Sequence, residues 1–270
     1  MAQQNSGWLG LQDRICVVTG AGGGIGRAVA LGMANAGASV VLLDNNGESC
    51  RATADVLRPT GARTLTLECD IADPDSVAAA ERAAQALGPC DVLVNNAGVL
   101  RAGPLATVSL EDWNRLLAVN LTGYLLCAQA FGKSMIERGR GAIVHTASIA
   151  GSNAQGFSGA YSVSKAGVLM LSRQLAVEWG PHGVRSNVMS PGLVRTPMSE
   201  TFYQDPQVLQ RRSAAIPLGR IGSPDDMAQV VLFLASDRAA FVNGQEIIVD
   251  GGFEHMLMSL VPRPGFERGN

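Results

Sequence analysis

Tyr161 and Lys165 are the two residues whose types and spacing point most directly to chemistry. They are four positions apart, so on a helix their side chains lie on one face and can act on the same substrate. The chain has only three tyrosines and two lysines, so composition does not explain the pair. An ammonium beside a phenol lowers the phenol pKa from about 10 toward neutrality, as a general acid/base near pH 7 requires. The pair therefore predicts proton transfer, and a solvated helix pair is the alternative.

The turn from Thr19 to Gly26 is rich in glycine and predicts a phosphate-binding site. It lies between an apolar run and a helical pattern, where phosphate oxygens can reach the backbone amides and the helix N-terminus. The spacing G-x-G-x-x-G fails from Gly20, because Ile25 occupies the sixth position. Gly20, Gly24 and Gly26 instead fit G-x-x-x-G-x-G, and glycines that serve only the turn and its packing are the alternative.

Asp44 strengthens the nucleotide interpretation. It follows Gly26 by 18 residues and ends the second apolar run, where a carboxylate can accept hydrogen bonds from a ribose 2′-hydroxyl. The same carboxylate repels a 2′-phosphate, and neither the glycine turn before Arg27 nor the residues just after Asp44 carry Arg or Lys. We therefore expect NAD(H) rather than NADP(H) as cofactor, with a helix N-cap as the alternative role of Asp44.

Composition excludes several classes of protein. Of the 270 residues 16% are charged and 47% are hydrophobic, so most of the chain packs into a core. A net charge of −2 and an aromatic content of 5% offer nucleic acid neither a basic field nor a stacking surface. The polar N-terminus lacks the regions of a signal peptide and no run of about 18 apolar residues occurs, so we expect a cytoplasmic protein without a membrane span. Five cysteines without C-x-x-C pairing and three scattered histidines predict neither a disulfide nor a metal site.

Apolar runs alternate with helical patterns along most of the chain. This alternation predicts an α/β fold of Rossmann type, a doubly wound parallel sheet of about seven strands with helices on both faces. No linker-like break in composition occurs, so we expect one domain with a core over residues 12–252 and a tail over 253–270. The predicted strands cover residues 14–19, 38–44, 64–69, 92–95, 142–146, 185–188 and 246–249. The predicted helices cover residues 26–37, the polar stretch up to about 58, 76–87, 109–138, 161–179 and 224–235.

Two further residues attract attention by their places in this pattern. Ser148 follows the apolar run 142–146, so it lies at the carboxyl end of a strand, where open α/β sheets bind ligands. Ser148 and Tyr161 could then direct two hydroxyls at a carbonyl oxygen that gains negative charge. Asn120 is a poor helix former inside the predicted helix 109–138, and such a polar residue marks function or a kink.

The motifs occur in one order along the chain: the glycine turn, Asn95-Asn96-Ala97-Gly98, Asn120, Ser148, Tyr161-Ser162-Val163-Ser164-Lys165, and Pro191-Gly192 followed by Thr196. In this order they resemble the short-chain dehydrogenase/reductase family, classical type, over nearly the whole chain. The resemblance implies that Tyr161 transfers the proton and that Ser148 hydrogen-bonds the substrate oxygen. It implies that Lys165 binds the nicotinamide ribose and lowers the Tyr161 pKa, and that Asn120 holds a water connecting Lys165 to solvent.

The resemblance also implies the surroundings of the cofactor and an assembly. Asp70 and Ile71 would border adenine, Asn96 to Gly98 would lie beside the adenosine ribose, and Val194 and Thr196 would contact the nicotinamide carboxamide. A homotetramer of dihedral symmetry is implied, with two long helices per subunit in the main interface. The implied cofactor-binding residues are Gly20, Gly23, Gly24, Ile25, Gly26, Asp44, Asp70, Ile71, Asn96, Ala97, Gly98, Tyr161, Lys165, Pro191, Gly192, Val194 and Thr196.

Substrate identity is left to the segments between the motifs. Gln155 and Phe157 are our candidates for substrate contact, together with Ser148 and Tyr161. The segment 198–216 is polar and punctuated by prolines, which predicts a mobile substrate lid. Arg195, Arg211 and Arg212 could steer an anionic substrate, with solvated surface arginines as the alternative. The tail carries apolar residues from 255 to 261, and we expect it to pack against a partner subunit.

Three functions are compatible with these residues. The first is an NAD(H)-dependent oxidoreductase that interconverts a secondary alcohol and a ketone, with a sugar, polyol or other small hydroxylated molecule as substrate. The second is a 3-oxoacyl-thioester (acyl carrier protein) reductase, an activity that usually prefers NADPH, so that Asp44 argues against it. The third is a non-catalytic nucleotide-binding scaffold, because fold does not fix function; the complete set of Asn120, Ser148, Tyr161 and Lys165 argues against this one.

Overall fold

Seven strands form one sheet in a computed structural model that describes residues 7–261 and residue 265. The strands are β1 (Ile15–Thr19), β2 (Ser39–Asp44), β3 (Thr64–Glu68), β4 (Val92–Asn95), β5 (Gly141–Thr146), β6 (Val184–Pro191) and β7 (Glu246–Val249). Their order is β3-β2-β1-β4-β5-β6-β7, and every neighbouring pair is parallel. The predicted doubly wound Rossmann-type sheet is therefore confirmed.

Helices connect successive strands. They are α1 (Gly24–Asn35), α2 (Gly47–Leu57), α3 (Pro74–Ala84), α4 (Leu110–Leu117), α5 (Gly123–Arg138), α6 (Ile149–Ser152), α7 (Tyr161–Trp179), α8 (Pro206–Ala215) and α9 (Pro224–Ala235). Short 3-10 helices include Glu200–Tyr203 and Phe253–Leu260. The longer helices lie over the two faces of the sheet, where each buries one apolar stripe.

The core consists of two layers, one on each face of the sheet. On one face the strand residues Cys16 and Val18 pack with α1 and α9; on the other, Val17 packs with α3, α5 and α7. All five residues of β1 are buried, because successive side chains enter opposite layers and both layers are apolar. One continuous sheet between two apolar layers supports our proposal that residues 12–252 form a single domain.

The strand order reverses beside β1. From β1 the chain proceeds outward through β2 to β3 and then returns to place β4 on the other side of β1. Loops that leave the carboxyl ends of β1 and β4 therefore diverge over opposite faces of the sheet. A crevice opens between them, which is the place where open α/β sheets bind ligands.

Two predicted elements differ from the structure. The helix predicted over 109–138 is not continuous, because α4 and α5 are joined by a π-helical turn, Ala118–Thr122, with Asn120 at its centre. The segment 198–216, predicted as a polar lid without regular structure, contains the 3-10 helix Glu200–Tyr203 and the helix α8. The Asp205 side chain caps α8 by accepting a hydrogen bond from the Gln207 amide, and Pro206 begins the helix.

Several element boundaries also differ. Helix α1 begins at Gly24 rather than residue 26, α3 runs from Pro74 rather than from residue 76, and β6 extends to Pro191. The short helix α6 directly after Ser148 was not predicted. Its four residues carry no periodicity that a sequence pattern could reveal, whereas α7 and α9 have the predicted bounds.

The predicted tail begins as the 3-10 helix Phe253–Leu260, on which Leu257, Met258 and Leu260 are exposed. Residues 262–264 and 266–270 of the tail lie outside the described residues, as do residues 1–6 of the polar N-terminus. Packing of this tail on a partner subunit therefore remains a proposal.

Gly26 is the position where the first turn of α1 approaches the glycine turn most closely. A Cβ atom at this residue would lie 2.1 Å from the Gly20 carbonyl oxygen and 2.6 Å from Nδ2 of Asn96. Both contacts are far below van der Waals separation, and the nearer one is to backbone that cannot rotate away. Gly26 therefore serves the close packing of helix on turn.

Replacing Gly26 by alanine is expected to lower the free energy of unfolding by about 1–3 kcal/mol, because the added methyl group must displace the turn. Urea unfolding followed by circular dichroism measures the change. Gly103→Ala is the matched control, since a Cβ there meets nothing within 4 Å and its φ is not positive. Equal stability of Gly26→Ala and Gly103→Ala would contradict the packing role of Gly26.

Candidate active site

A cleft of about 1200 Å³ opens at the carboxyl ends of the strands. It exceeds the roughly 300–1,000 Å³ of an ordinary small-molecule site and so has room for a dinucleotide together with a substrate. Most predicted site residues line it, although they come from distant parts of the chain. The lining includes Gly20, Gly23, Gly24, Ile25, Asp44, Asp70, Ile71, Asn96, Ala97, Gly98, Ser148, Gln155, Phe157, Tyr161, Lys165, Pro191, Gly192, Val194 and Thr196.

Gly26 and Asn120 are the predicted site residues that do not line the cleft. Gly26 packs against the Gly20 carbonyl, as described above. Asn120 is fully buried in the π-helical turn, where its side chain hydrogen-bonds the backbone of Val99. Their places in motifs do not reveal this, because a motif gives spacing and not the direction of a side chain.

The glycine turn presents the N-terminus of α1 to the cleft. Gly23 is the N-cap, and within the described part of the chain no side chain caps this helix and its first turn carries no acidic residue. Its first amide N–H groups therefore have no intrahelical acceptor and are oriented toward the cleft, an arrangement that suits an anion. A Cβ at Gly23 would meet only Pro197, 3.9 Å away, so the backbone is open to close approach by a phosphate. These features fit the pyrophosphate of a dinucleotide.

Thr19 and Asn96 brace the turn from below. The Thr19 hydroxyl accepts hydrogen bonds from the amides of Asn96, at 2.9 Å, and Ala97, at 3.1 Å. The Asn96 side-chain amide donates in return to the carbonyl oxygens of Thr19, at 3.1 Å, and Gly20, at 3.3 Å. Because Thr19 ends β1 and Asn96 follows β4, these bonds fix the position of the turn relative to the neighbouring strand.

Asp44 lies at the predicted ribose position at the end of β2. One of its carboxylate oxygens accepts a hydrogen bond from the Gly22 amide at 2.9 Å, and the other accepts one from the Asn46 amide at 3.0 Å. Each oxygen retains lone pairs for a further donor. The alternative role as a helix N-cap is wrong, because Asn46 caps α2 by accepting a hydrogen bond from the Ser49 amide at 3.0 Å. The Asp44 carboxylate lines the cleft, and its role toward a nucleotide stays a prediction.

Three polar side chains meet at the carboxyl end of β5. Ser148 is the N-cap of α6 and accepts a hydrogen bond from the Ala150 amide at 3.1 Å, while Tyr161 is the first residue of α7. Lys165 follows one turn later on α7, and its ammonium nitrogen lies 5.8 Å from the centroid of the Tyr161 ring. The predicted sharing of one helix face by Tyr161 and Lys165 is present in the structure.

The acid–base properties of this group differ from the sequence-based expectation. Burial raises the pKa of Tyr161, and the Ser148 hydroxyl acts on it in the opposite direction. Burial lowers the pKa of Lys165 to about 7. The sequence predicts that Lys165 pulls the Tyr161 pKa toward neutrality, whereas loss of hydration is the largest influence on the pKa of both groups.

Asn120 joins the π-helical turn to the loop after β4. Its side-chain oxygen accepts a hydrogen bond from the Val99 amide at 2.8 Å, and its nitrogen donates to the Val99 carbonyl at 2.9 Å and to Ser164 Oγ at 3.3 Å. Its side-chain oxygen keeps a second lone pair, so the water bridge from Asn120 to Lys165 stays a prediction. Asn120 holds the cleft wall that follows β4.

Tyr124 and Thr146 contact Lys165, and sequence reasoning missed both. The Lys165 ammonium donates to the Thr146 carbonyl at 2.9 Å and lies 3.5 Å from the Tyr124 hydroxyl, which itself donates to the same carbonyl at 3.1 Å. Tyr124 is fully buried, and burial raises its pKa, so it stays a neutral phenol. Its position four residues after Asn120 was the only available signal, and it resembles an ordinary core position.

Phe157 projects from the loop between α6 and α7. It is 76% exposed at the cleft and adopts a left-handed φ of 59°, which is rare for a bulky side chain. Its carbonyl accepts a hydrogen bond from the Gly103 amide at 2.8 Å, and this ties the loop to the segment after β4. Gln155 lines the same part of the cleft. The two predicted substrate contacts are thus held side by side at the mouth of the cleft.

The described residues contain neither a group of metal ligands nor a membrane-spanning helix. Within residues 7–261 no three His, Cys, Asp or Glu side chains are grouped as metal ligands. None of the helices in that range is both long enough and apolar enough to cross a membrane.

The chain is similar to known dehydrogenases. A family model described as Enoyl-(Acyl carrier protein) reductase matches residues 20–254. The D-threitol dehydrogenase of Mycolicibacterium smegmatis is 43% identical over 90% of this chain and 94% of its own. The cis-4-hydroxycyclohexanecarboxylate dehydrogenase of Sinomonas cyclohexanicum is 41% identical over 89% and 96%. A solved gluconate 5-dehydrogenase from Burkholderia cenocepacia, in complex with NADP and tartrate, is 35% identical with a TM-score of 0.86 over 90% and 96%.

Replacing Lys165 by methionine tests the lowered lysine pKa through stability. The wild-type lysine has a pKa of about 7 when folded and 10.5 as a reference, so between these values the unfolded state binds more protons. The free energy of unfolding of the wild type therefore rises with pH relative to Lys165→Met between pH 7 and 10, with a slope of at most about 1.4 kcal/mol per pH unit. Urea unfolding at pH 6, 7, 8 and 9 measures the difference.

The exposed Lys133, the other lysine of the chain, supplies the control. Lys133→Met controls for the loss of a lysine side chain as such, and the effect of Lys165→Met is compared with it at each pH. A stability advantage of the wild type over Lys165→Met that stays constant or falls as pH rises would contradict the lowered pKa of Lys165.

Proposed function

The chain belongs to the short-chain dehydrogenase/reductase family, and we propose that it interconverts a secondary alcohol and a ketone by hydride transfer with NAD(H). The proposed substrate is a sugar, a polyol or another small hydroxylated molecule. The observation that carries the proposal is the meeting of Ser148, Tyr161 and Lys165 in one cleft with the glycine turn and Asp44. Names of similar proteins support it, since a threitol and a gluconate dehydrogenase are among them.

Each reactive side chain has a proposed role. Tyr161 exchanges a proton with the substrate oxygen, and Ser148 donates a hydrogen bond to the same oxygen as it gains or loses negative charge. Lys165 binds the ribose next to the nicotinamide, and in its charged form it lowers the pKa of Tyr161. Thr146 and Tyr124 fix the ammonium by accepting from it, so that the lysine keeps one orientation. Asn120 positions the wall formed by Val99.

The residues of the cleft fit a dinucleotide. The uncapped N-terminus of α1 suits the pyrophosphate, and the open backbone at Gly23 permits its close approach. When bound, the nicotinamide cofactor supplies or accepts the hydride. The cofactor-binding residues proposed from the sequence keep their roles, except that Gly26 acts by packing.

NAD(H) is the proposed cofactor because of Asp44. Its carboxylate is fixed by two backbone amides beside the glycine turn, where a ribose 2′-hydroxyl can donate to it and a 2′-phosphate would be repelled. Arg27, the basic residue that follows the turn, uses its guanidinium to donate hydrogen bonds to the Gly22 carbonyl and to Thr53.

A 3-oxoacyl-thioester reductase is the second candidate. The description of the matching family model, an enoyl-(acyl carrier protein) reductase, favours a thioester substrate. Asp44 argues against it, because that activity usually uses NADPH. A panel of polyols, sugar acids and hydroxyacyl thioesters, each with NAD⁺ and NADP⁺, distinguishes the two candidates by absorbance of the reduced nicotinamide.

We also propose a cytoplasmic homotetramer. The apolar side chains of Leu125 on α5 and of Met170 and Val177 on α7 are exposed in the single chain, on the two long helices that the family resemblance places in the interface. Burial of such a face between copies removes apolar area from water. All five cysteines are free and buried, in keeping with a reducing compartment.

Replacing Tyr161 by phenylalanine tests the acid/base role. The variant is expected to lower kcat by about 10³-fold or more, because the proton donor is lost while the ring remains. Turnover is measured with the best substrate of the panel, and the Kd for NADH by fluorescence titration. The Kd should stay within about 3-fold of the wild type, since the missing hydroxyl serves chemistry. Retention of most of the turnover would overturn the assignment.

Changing Asp44 tests the cofactor preference. Asp44→Ala is expected to raise the ratio of kcat/KM with NADP⁺ to that with NAD⁺ by about 10-fold or more, because the repulsion of the 2′-phosphate is removed. Asp44→Asn is the matched control for shape, and it should raise the ratio nearly as much while keeping an acceptor for one of the two backbone amides. A wild type that already prefers NADP⁺ would refute the argument.

A further inference from the structure

Charged side chains are distributed unevenly along the cleft. Its acidic lining residues, Asp44 and Asp70, end or follow β2 and β3, at one side of the sheet. Its basic lining residues are Arg115 on α4, Lys165 on α7, and Arg211 and Arg212 on α8. Helix α8 follows β6, and Tyr161 follows β5, the neighbour of β6, so the two arginines of α8 and Tyr161 belong to the same side of the sheet relative to β1. The acidic lining residues among those described lie on the other side.

Arg211 and Arg212 have no anionic partner in the described part of the chain, where neither forms an ion pair or a side-chain hydrogen bond. Other arginines of the same region are paired. Arg195 donates to Glu200 at 2.6 Å, and Arg220 donates to Asp226 at 2.7 Å, so the charges of both are compensated outside the cleft. The sequence suggests the same steering role for Arg195, Arg211 and Arg212. The structure distinguishes them, because Arg195 is paired with Glu200 whereas the two arginines on α8 have no ion-pair partner among the described residues.

Arg212 is held in place although it lacks a partner ion. Its guanidinium carbon lies 4.9 Å from the centroid of the Phe202 ring and 5.4 Å from that of Tyr203. Tyr203 is buried, which makes one wall of this aromatic support rigid. These cation–π contacts restrict the guanidinium without using its N–H groups as donors to an anion, so less entropy is lost when an anion binds.

We propose that Arg211 and Arg212 bind a carboxylate of the substrate, so that a hydroxy acid is preferred over the corresponding neutral polyol. This inference rests on the proposed function and specifies its substrate class. A carboxylate matches the guanidinium fork, and two adjacent positive charges in a cleft raise both its affinity and its rate of encounter. The Tyr161 hydroxyl then meets a carbinol at a distance from the carboxylate that the arginines determine.

Matched pairs of substrates test the proposal. Threonate and threitol, gluconate and glucitol, and galactonate and galactitol each differ only in whether one terminal carbon is a carboxylate. For at least one pair, the wild type should show a kcat/KM for the acid that is about 10-fold or more above that for the alditol, mainly through KM. Raising the salt concentration should reduce this ratio, because screening weakens the ionic contact.

Variants locate the effect. In Arg211→Gln/Arg212→Gln the ratio of kcat/KM for acid over alditol should fall to within about 3-fold of unity. Arg212→Lys should give an intermediate ratio, because the charge remains without the planar fork. Arg82→Gln is the matched control, since Arg82 is an exposed arginine on α3 that does not line the cleft. It should leave the ratio unchanged, and circular dichroism shows whether each variant is folded.

A binding measurement separates this proposal from the proposed function. Gluconate and glucitol are titrated calorimetrically into wild type saturated with NADH, a complex in which no alcohol can be oxidised. Tighter binding of gluconate that is lost in the double variant supports the arginine site even if neither compound is turned over. Equal binding of both compounds, or equal losses in the double variant and Arg82→Gln, overturns it. Absence of turnover with every alcohol of the panel overturns the proposed function instead.

Discussion

The cleft depends on the hydrogen bonds that connect Thr19, at the end of β1, to the segment after β4. Two backbone amides share the Thr19 hydroxyl, and the Asn96 side chain returns bonds to the carbonyls of the glycine turn. The strand order reverses beside β1, so one loop rises over each face of the sheet. These bonds hold the amides of the turn and the reactive groups beyond β4 at a fixed separation. Hydride transfer between two bound molecules requires such a fixed separation.

Burial governs the chemistry inside the cleft. Loss of hydration raises the pKa of Tyr161 and lowers that of Lys165, so the protein alone favours neutral forms of both. The Thr146 carbonyl accepts from the lysine and keeps its nitrogen in place whatever its charge. An arrangement of this kind costs stability, and it brings the pKa of Lys165 to about 7, so that this group can change its charge near neutral pH. Asp44 at one end of the cleft and the arginine pair at the other add opposite charges, and we assign these to the selection of cofactor and of substrate.

Much of the fold followed from pattern. The apolar runs gave the strands because a sheet covered on both faces needs apolar side chains in both directions, and α7 and α9 had clear periodicity with the predicted bounds. The break at Asn120 could not be located in this way, since a π-helical turn depends on the bonds that Asn120 makes to Val99, a residue distant in sequence. The helix α8 was not predicted, because its composition is polar and it begins with a proline. Pro206 begins that helix rather than interrupting it, a distinction that requires the capping contact of Asp205.

The sequence by itself determined the class of fold, the glycine turn, and the pairing of Tyr161 with Lys165, because each is a local matter of residue type and spacing. The tertiary structure decided which groups face the cleft and in what electrostatic state. It showed that Gly26 packs against the Gly20 carbonyl and that Asn120 bonds to Val99, and it brought Tyr124 to Lys165. It also separated Arg195, neutralised by Glu200, from Arg211 and Arg212, which remain unpaired in the described structure. These outcomes depend on burial and on partners far apart in the chain, and neither is encoded in local spacing.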